Sequence, residues 1–209
     1  MSDGSADDAD GNRHDDADSG PPVDVLIVED EKQVAELYAS WLDDRYRVSV
    51  AAGGEAALAA WDDEVDVVLL DRRMPDVSGD EVLAALRERG AECPVAIVTA
   101  IDPTVDIVEM GFDEYLVKPV DRDDLVETIE RLLDRTKYRD GLQEYFANVS
   151  KRTVLEKHVE GAELRQSEAY ERLQSRIEEI ETDLEATLYR FEDRDFRAVF
   201  REFEEPAAE

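Results

Sequence analysis

The sequence predicts an α/β fold, a doubly wound five-stranded parallel sheet followed by an all-α C-terminal region, and three observations carry that prediction. Five short β-branched or apolar runs recur at 24–28, 46–51, 66–70, 94–99 and 113–117. Segments with helical spacing separate them, and from about residue 136 the strand signals stop while the helical ones continue. Strands that alternate with helices bury both faces of a parallel sheet, and such a sheet gathers its chemistry at the C-terminal strand ends, beside the point where strand order reverses.

The elements follow in order. Residues 1–22 hold seven acids and one base with almost no large apolar side chain, so they are expected to form a disordered acidic leader. The first strand, Val25-Leu26-Ile27-Val28, precedes Val34, Leu37, Tyr38, Trp41 and Leu42 at helical intervals. After the second run come Ala56, Ala57, Leu58, Ala60 and Trp61; after the third come Val82, Leu83 and Leu86. The fifth is followed by Leu125, Val126, Ile129, Leu132 and Leu133, spaced i, i+3, i+4, i+7 and i+8. These elements make a first domain over 23–135.

A helical domain is expected over 136–203, with a polar tail at 204–209. Tyr138, Leu142, Tyr145, Phe146 and Val149 form one stripe, which Val154, Leu155, His158 and Val159 continue or restart before Gly161 breaks it. Tyr170, Leu173, Ile177, Ile180 and Leu184 then alternate threes and fours, the spacing of a coiled-coil seam. Fewer than four heptads suit either an antiparallel hairpin within the chain or a coiled coil between two copies, and both readings stay open. Phe196, Val199, Phe200 and Phe203 suggest one more short amphipathic helix.

Charge narrows the partners. Acids outnumber bases 55 to 24, a formal net charge of −31, which disfavours general attraction to nucleic-acid phosphate. The acids are spread over folded segments, and only five of the 24 bases are lysine. That pattern resembles haloarchaeal proteins, whose carboxylate-rich surfaces stay solvated in molar salt, where the Debye length falls to about 3 Å. A single cysteine, Cys93, excludes an internal disulfide and reads as a small buried hydrophobe. With no secretory signal pattern and no apolar stretch long enough to cross a bilayer, the expected location is cytoplasmic, with no membrane partner.

Chemistry-bearing residues stand at the strand ends. Glu29-Asp30 follows the first strand, Asp71 the third, Thr99 closes the fourth, and Lys118-Pro119 follows the fifth. Three carboxylates make a poor nucleophilic triad but a good oxygen-rich seat for a hard cation such as Mg²⁺. Asp71 could attack phosphorus to form an acyl phosphate. Lys118 would then neutralise one phosphoryl oxygen and the Thr99 hydroxyl would donate to another, so positioning and charge suffice without a general base. Singly, each residue also has an ordinary structural reading as a turn-former or packed strand residue.

Together, Glu29-Asp30, Asp71 within Leu-Leu-Asp-Arg-Arg-Met-Pro-Asp-Val-Ser-Gly, Thr99-Ala100 and Lys118-Pro119 resemble the receiver domain of two-component response regulators, a CheY-like, flavodoxin-like fold. The resemblance implies that Asp71 is the phosphoacceptor, that Asp30 binds Mg²⁺ directly and Glu29 through water, and that the Arg73 main-chain carbonyl is a further ligand. It makes Thr99 the switch hydroxyl, Lys118 the phosphate-binding lysine and Tyr115 the aromatic switch residue. It implies a sensor histidine kinase as donor, and a protein that is not an enzyme in its own right but catalyses its own phosphorylation and dephosphorylation.

Glu29 stands where the family more often has Asp. From Thr99 to Lys118 there are only 19 steps, shorter than the family pattern by about one helical turn, roughly 3.6 residues. The fourth helix, within Asp102–Met110, must therefore be short or irregular, which puts dimerisation through the face it builds in question. Arg73 and Ile101 flank the site and are candidates for tuning dephosphorylation; for the pair Arg72-Arg73, solvated arginines tied to neighbouring acids are the competing reading.

The C-terminal region resembles the HalX domain found after receivers in halophilic archaea, through Ser-Lys-Arg-Thr-Val-Leu-Glu, Glu-Ala-Tyr-Glu-Arg-Leu-Gln-Ser-Arg-Ile-Glu-Glu and Asp-Phe-Arg-Ala-Val-Phe. The resemblance supplies no activity. Neither His14 nor His158 reads as a phosphotransfer site, and Lys151-Arg152 makes at most a small basic patch. The expected output is a contact with an unknown downstream protein through Leu173, Ile177, Ile180 and Leu184, with homodimerisation open. Phosphorylation-controlled DNA binding by the C-terminal helices is the less favoured alternative.

Overall fold

The computed structural model describes residues 22–191 together with 195 and 199. The leader expected over 1–22, apart from Pro22, lies outside the described residues, as do His14, Phe196, Phe200, Phe203 and the tail at 204–209.

Each apolar run becomes a strand, and each helical stripe among the described residues falls in an α-helix or at its end. The order is β1 (Asp24–Val28), α1 (Lys32–Leu42), β2 (Arg47–Ala51), α2 (Gly54–Ala60), β3 (Val67–Leu70), α3 (Gly79–Glu88), β4 (Val95–Thr99), a 3-10 turn (Val105–Glu109), β5 (Glu114–Val117), α4 (Arg122–His158), α5 (Gly161–Leu164) and α6 (Glu168–Leu188). The five strands are parallel in the order β2-β1-β3-β4-β5. The chain thus leaves β1 toward β2 on one side and reaches β3 on the other, so the switch point lies between β1 and β3.

Alternation along the buried strands divides the core in two. Leu26, Val28, Val68, Leu70, Val95 and Ile97 face α2 and α3, packing with Val82, Leu83 and Leu86. Val25, Ile27, Val67, Leu69, Ala96 and Val98 face the other way, against Tyr38 and Leu42 of α1 and Leu125, Ile129 and Leu132 of α4. Burying both faces is what lets these strands read as continuous apolar runs.

Helix starts are fixed by side chains. Ser78 and Glu81 form a capping box at α3, and Asp121 and Asp124 form another at α4, each giving otherwise unpaired N–H groups a carboxylate or hydroxyl. The peptide between Lys118 and Pro119 is cis. The short fourth helix takes the form of the 3-10 turn, with Val105 and Val108 exposed.

The C-terminal stripe does not start a separate helix at residue 136. Instead α4 runs 37 residues without interruption from the sheet into the C-terminal region, ending just before Gly161. There α6 folds back antiparallel along it: Tyr170 donates to Glu156, Arg176 to Glu144, Tyr145 to Glu181 and Arg190 to Asp134, so residues advancing on one helix meet residues receding on the other. Of the two readings left open by the heptad spacing, the structure takes the hairpin. The proposed contact seam is corrected with it: Ile177 and Ile180 are buried, and Leu184 lies over Gly141 of α4. These residues close the hairpin and are not a surface for a downstream partner. Among the described residues no helix is long and apolar enough to cross a membrane.

Candidate functional site

Glu29, Asp71 and Lys118 each stand one step past a strand and Thr99 ends one, held there by the backbone. The Glu29 N–H donates to Ala51 O at 3.1 Å, the Asp71 N–H to Val28 O at 2.9 Å and the Lys118 N–H to Thr99 O at 2.8 Å. The sheet ladder therefore extends one residue beyond each regular strand and fixes where these side chains begin.

Their heads converge. Ligand oxygens of Glu29, Asp30 and Asp71 all lie within 4.8 Å of one another. Lys118 Nζ sits 2.6 Å from Glu29 Oε2 and 3.7 Å from Asp71 Oδ2, so one ammonium spans both acids. Glu29 and Asp71 are only 2% and 7% exposed. Asp71 Oδ1 and Thr99 Oγ1 are buried and have no hydrogen-bond partner among the described residues, an arrangement disfavoured unless a ligand uses them.

Burial is the main force that lifts the Glu29 carboxyl above its ordinary range; the Lys118 hydrogen bond and charge oppose it, and the charge of Asp71 adds to the rise. The same negative field reaches the second core, where burial first and then Glu29 and Asp71 push the Tyr38 hydroxyl up to about 12. Concentrated negative charge with hard oxygen donors suits a small divalent cation. The second Glu29 oxygen also accepts the Glu31 N–H at 3.3 Å, so this carboxylate is already engaged on both sides, whereas Asp71 keeps an oxygen in reserve.

Thr99 and Tyr115 stand at the edge of the site. Tyr115 is half-buried, its ring centroid 5.5 Å from that of Phe112, and its hydroxyl donates to the Ile101 carbonyl at 3.0 Å. Ile101 is therefore tied to the aromatic residue by its main chain. Arg73 is exposed and makes no ion pair among the described residues. Of the arginine pair, it is Arg72 that is tied to an acid, forking onto Asp80 at 2.9 and 3.1 Å.

Asp80, Gly79 and Arg87 escaped the sequence reading. Arg72 and Asp80 clamp the loop after β3, the Gly79 N–H donates to Arg72 O at 3.0 Å, and Gly79 lies so close that a Cβ there would meet Asp71 O at 2.2 Å. The Ser78 cap was a visible signal for the start of α3; the close approach of Gly79 was not. In the last turn of α3, Arg87 donates to the carbonyls of Ala91, Cys93 and Gly111 and pairs with Asp113, tying α3 to the approaches of β4 and β5.

Comparison with known proteins agrees with this fold. The family model described as the response regulator receiver domain matches residues 25–130, and that of the HalX domain matches residues 134–200. A Haloferax volcanii protein provisionally named a transcriptional regulator is 49% identical over 165 residues, covering 78% of this chain and 28% of that protein. The transcriptional regulatory protein CpxR of Klebsiella pneumoniae is 37% identical over 123 residues, 57% of this chain and 53% of that protein. The chain thus spans little more than a quarter of the first relative and about half of the second. Among solved structures, the receiver domain of Francisella response regulator 1452 superposes with a TM-score of 0.50 at 30% identity, covering 55% of this chain and 98% of that one. A CheY-like receiver domain protein from Methanospirillum hungatei gives 0.51 at 29% identity, covering 54% and 94%.

Proposed function

The chain belongs to the response regulator receiver family and carries a HalX domain, and from that membership we propose that it is a phosphorylation switch whose acceptor is Asp71. The carrying observation is the Lys118 ammonium poised between Glu29 and Asp71 while Asp71 Oδ1 lies buried without a partner. An Asp71 oxygen attacks the phosphorus of a histidine-kinase phosphohistidine or of a small acyl phosphate; the bond to the donor breaks and the donor keeps its electron pair. The chain acts on itself and is not an enzyme toward other substrates.

Asp30 and Asp71, with the Arg73 main-chain carbonyl, would hold Mg²⁺ directly, and Glu29, already engaged by Lys118 and the Glu31 N–H, would act through water. The bound ion supplies charge neutralisation between acceptor and phosphoryl oxygens. Lys118 pairs with one phosphoryl oxygen and the Thr99 hydroxyl donates to another, so that Thr99 acquires the partner it now lacks. Its movement frees space for Tyr115 to leave the Ile101 carbonyl. Ile101 and the exposed Arg73 border the path by which water reaches the acyl phosphate, and they tune its lifetime.

Incubation with acetyl phosphate and Mg²⁺ in molar KCl should add one phosphoryl group by intact mass. Asp71→Asn should add none while keeping the wild-type circular dichroism spectrum. A label that persists in this variant would place the acceptor elsewhere.

The HalX helices then act as output by protein contact. The acidic charge of −31 supports this reading over nucleic-acid binding. The relatives named as transcriptional regulators favour DNA as a second reading, and high salt suppresses phosphate contacts enough for a DNA binder to carry acidic surface. Gel-shift against genomic fragments in molar KCl, with and without acetyl phosphate, should show no retention; phosphorylation-dependent retention of particular fragments would establish the second reading.

A further inference from the structure

The hairpin uses one side of α4 and leaves the other exposed. Gly141 and Asn148 turn toward α6, the first beneath Leu184 and the second buried. On the opposite side Phe146, Ala147, Ser150, Thr153 and Val154 are exposed, Phe146 at 57% and Val154 at 60%. At about 100° per residue, all five lie within about 60° of Ser150. Gln143 and Lys157 stand at the two ends of this stripe. No acid lies in it, in a chain with 55 acids among 209 residues. The acids of this part of α4, Glu144 and Glu156, sit at its sides and meet Arg176 and Tyr170 of α6. Exposed apolar groups in an acid-free stripe, on so acidic a chain, mark a surface that is covered by a partner.

We propose that this stripe pairs two copies of the chain, antiparallel and centred on Ser150, without any need for phosphorylation. The inference does not rest on the phosphoacceptor reading. Position along the hairpin selects a second copy as the occupant. Ser150 lies about midway between Arg135, where α4 meets Glu114 of β5, and Leu164 at the hairpin turn. A copy running antiparallel about that point lays hairpin along hairpin, and the tip of each stops level with Arg135 of the other, short of its sheet. The pairing is self-complementary, as a two-fold contact requires. Phe146 meets Val154 of the second copy and Ala147 meets Thr153, whose hydroxyl already donates to the Val149 carbonyl. The two small Ser150 side chains face each other on the axis, where the backbones come closest. Charge agrees: Asp140, which meets Arg139 at 3.4 Å, precedes the stripe and Lys157 ends it. Antiparallel copies bring each Lys157 within about a helical turn of the other's Asp140, whereas parallel copies would set like charges against each other. Lys151, beside the axis, turns back to Asn148 at 3.2 Å. Two helix faces about 20 Å long bury well under the roughly 1,600 Å² of a standard interface, so the dimer is weak, with a Kd on the order of 10 to 100 µM. Molar salt screens the repulsion between two chains of net charge −31.

Sedimentation equilibrium of the full chain in molar KCl, from about 1 to 300 µM and with no phosphoryl donor, should show monomer and dimer in exchange. Phe146→Glu should raise the Kd about tenfold or more, since it sets a carboxylate against an apolar neighbour at both ends of the contact. Because Phe146 is exposed, the variant should keep the wild-type circular dichroism spectrum and urea midpoint. Ala186→Glu, which adds the same charge on the side of α6 away from α4, should leave the Kd within about twofold. Disulfide trapping in a Cys93→Ala background reads the direction. Ser150→Cys should link to itself, Gln143→Cys should not, and Gln143→Cys mixed with Lys157→Cys should form the mixed dimer. A chain that stays monomeric throughout, or that associates only after acetyl phosphate is added, overturns the proposal. So does a Phe146→Glu dimer as tight as wild type, or self-linking of Gln143→Cys with none at Ser150→Cys.

Discussion

Gly79→Ala should destabilise the receiver by about 3 kcal/mol or more, the upper end of what overpacking produces. The added methyl would lie 2.2 Å from Asp71 O, 2.8 Å from Arg72 Cα and 3.0 Å from Asp71 C. All three are backbone atoms, so no rotamer change relieves the clash. The segment that must give way carries Asp71 itself, whose N–H is bonded to β1, and Arg72, whose side chain is clamped to Asp80. Stability and site geometry are therefore hit together: urea unfolding should show the loss, and any folded fraction should bind Mg²⁺ more weakly. By contrast, Gly90, with φ of 84° and open space around its Cβ position, opposes substitution only through backbone conformation, and Gly90→Ala should lose about 1 kcal/mol. A Gly79→Ala protein with wild-type midpoint and Mg²⁺ affinity would mean that α3 is free to slide away from the Asp71 loop.

Gly79 also marks the boundary of what the sequence could reveal. The five strands were legible because burial on both faces leaves uninterrupted apolar runs, and the acids were legible because a charge after such a run, as at Asp71, is a local signal. The shortened segment between Thr99 and Lys118 likewise predicted a short or irregular fourth helix, and the 3-10 turn at Val105–Glu109 is the form it takes. What stayed hidden depends on pairs far apart in sequence. Arg135 reaches Asp195 across 60 residues and Arg87 reaches Asp113 across 26, and no local pattern specifies such partners. The heptad spacing of Leu173, Ile177, Ile180 and Leu184 defined an apolar seam but not its occupant, because a hairpin and an intermolecular coil demand the same periodicity. The chain settles it with α5 (Gly161–Leu164), a connection short enough to turn α6 back along α4.

Lys118→Met should destabilise the receiver by about 3 kcal/mol near neutral pH, the penalty for leaving a buried charge without its partner. Glu29 is the charge in question, 2% exposed and 2.6 Å from the ammonium. Its carboxyl already titrates above the ordinary range because burial disfavours the ionised form. A carboxyl raised on folding contributes stability that is fully present below its unfolded pKa and is lost as pH rises through the folded one. Lys118 is the main opposing influence, so its removal moves the folded value further up and enlarges the loss above it. The difference between variant and wild type should accordingly be largest near neutral pH and shrink as the solution is acidified and Glu29 is protonated in both. Urea midpoints across that range test the sign: a pH-independent difference would mean that Lys118 acts through the packing of its methylenes. Adding Glu29→Gln to Lys118→Met should recover part of the loss, since of the two carboxylates that the ammonium spans only Asp71 is then left without it, and that recovery measures the coupling between Glu29 and Lys118.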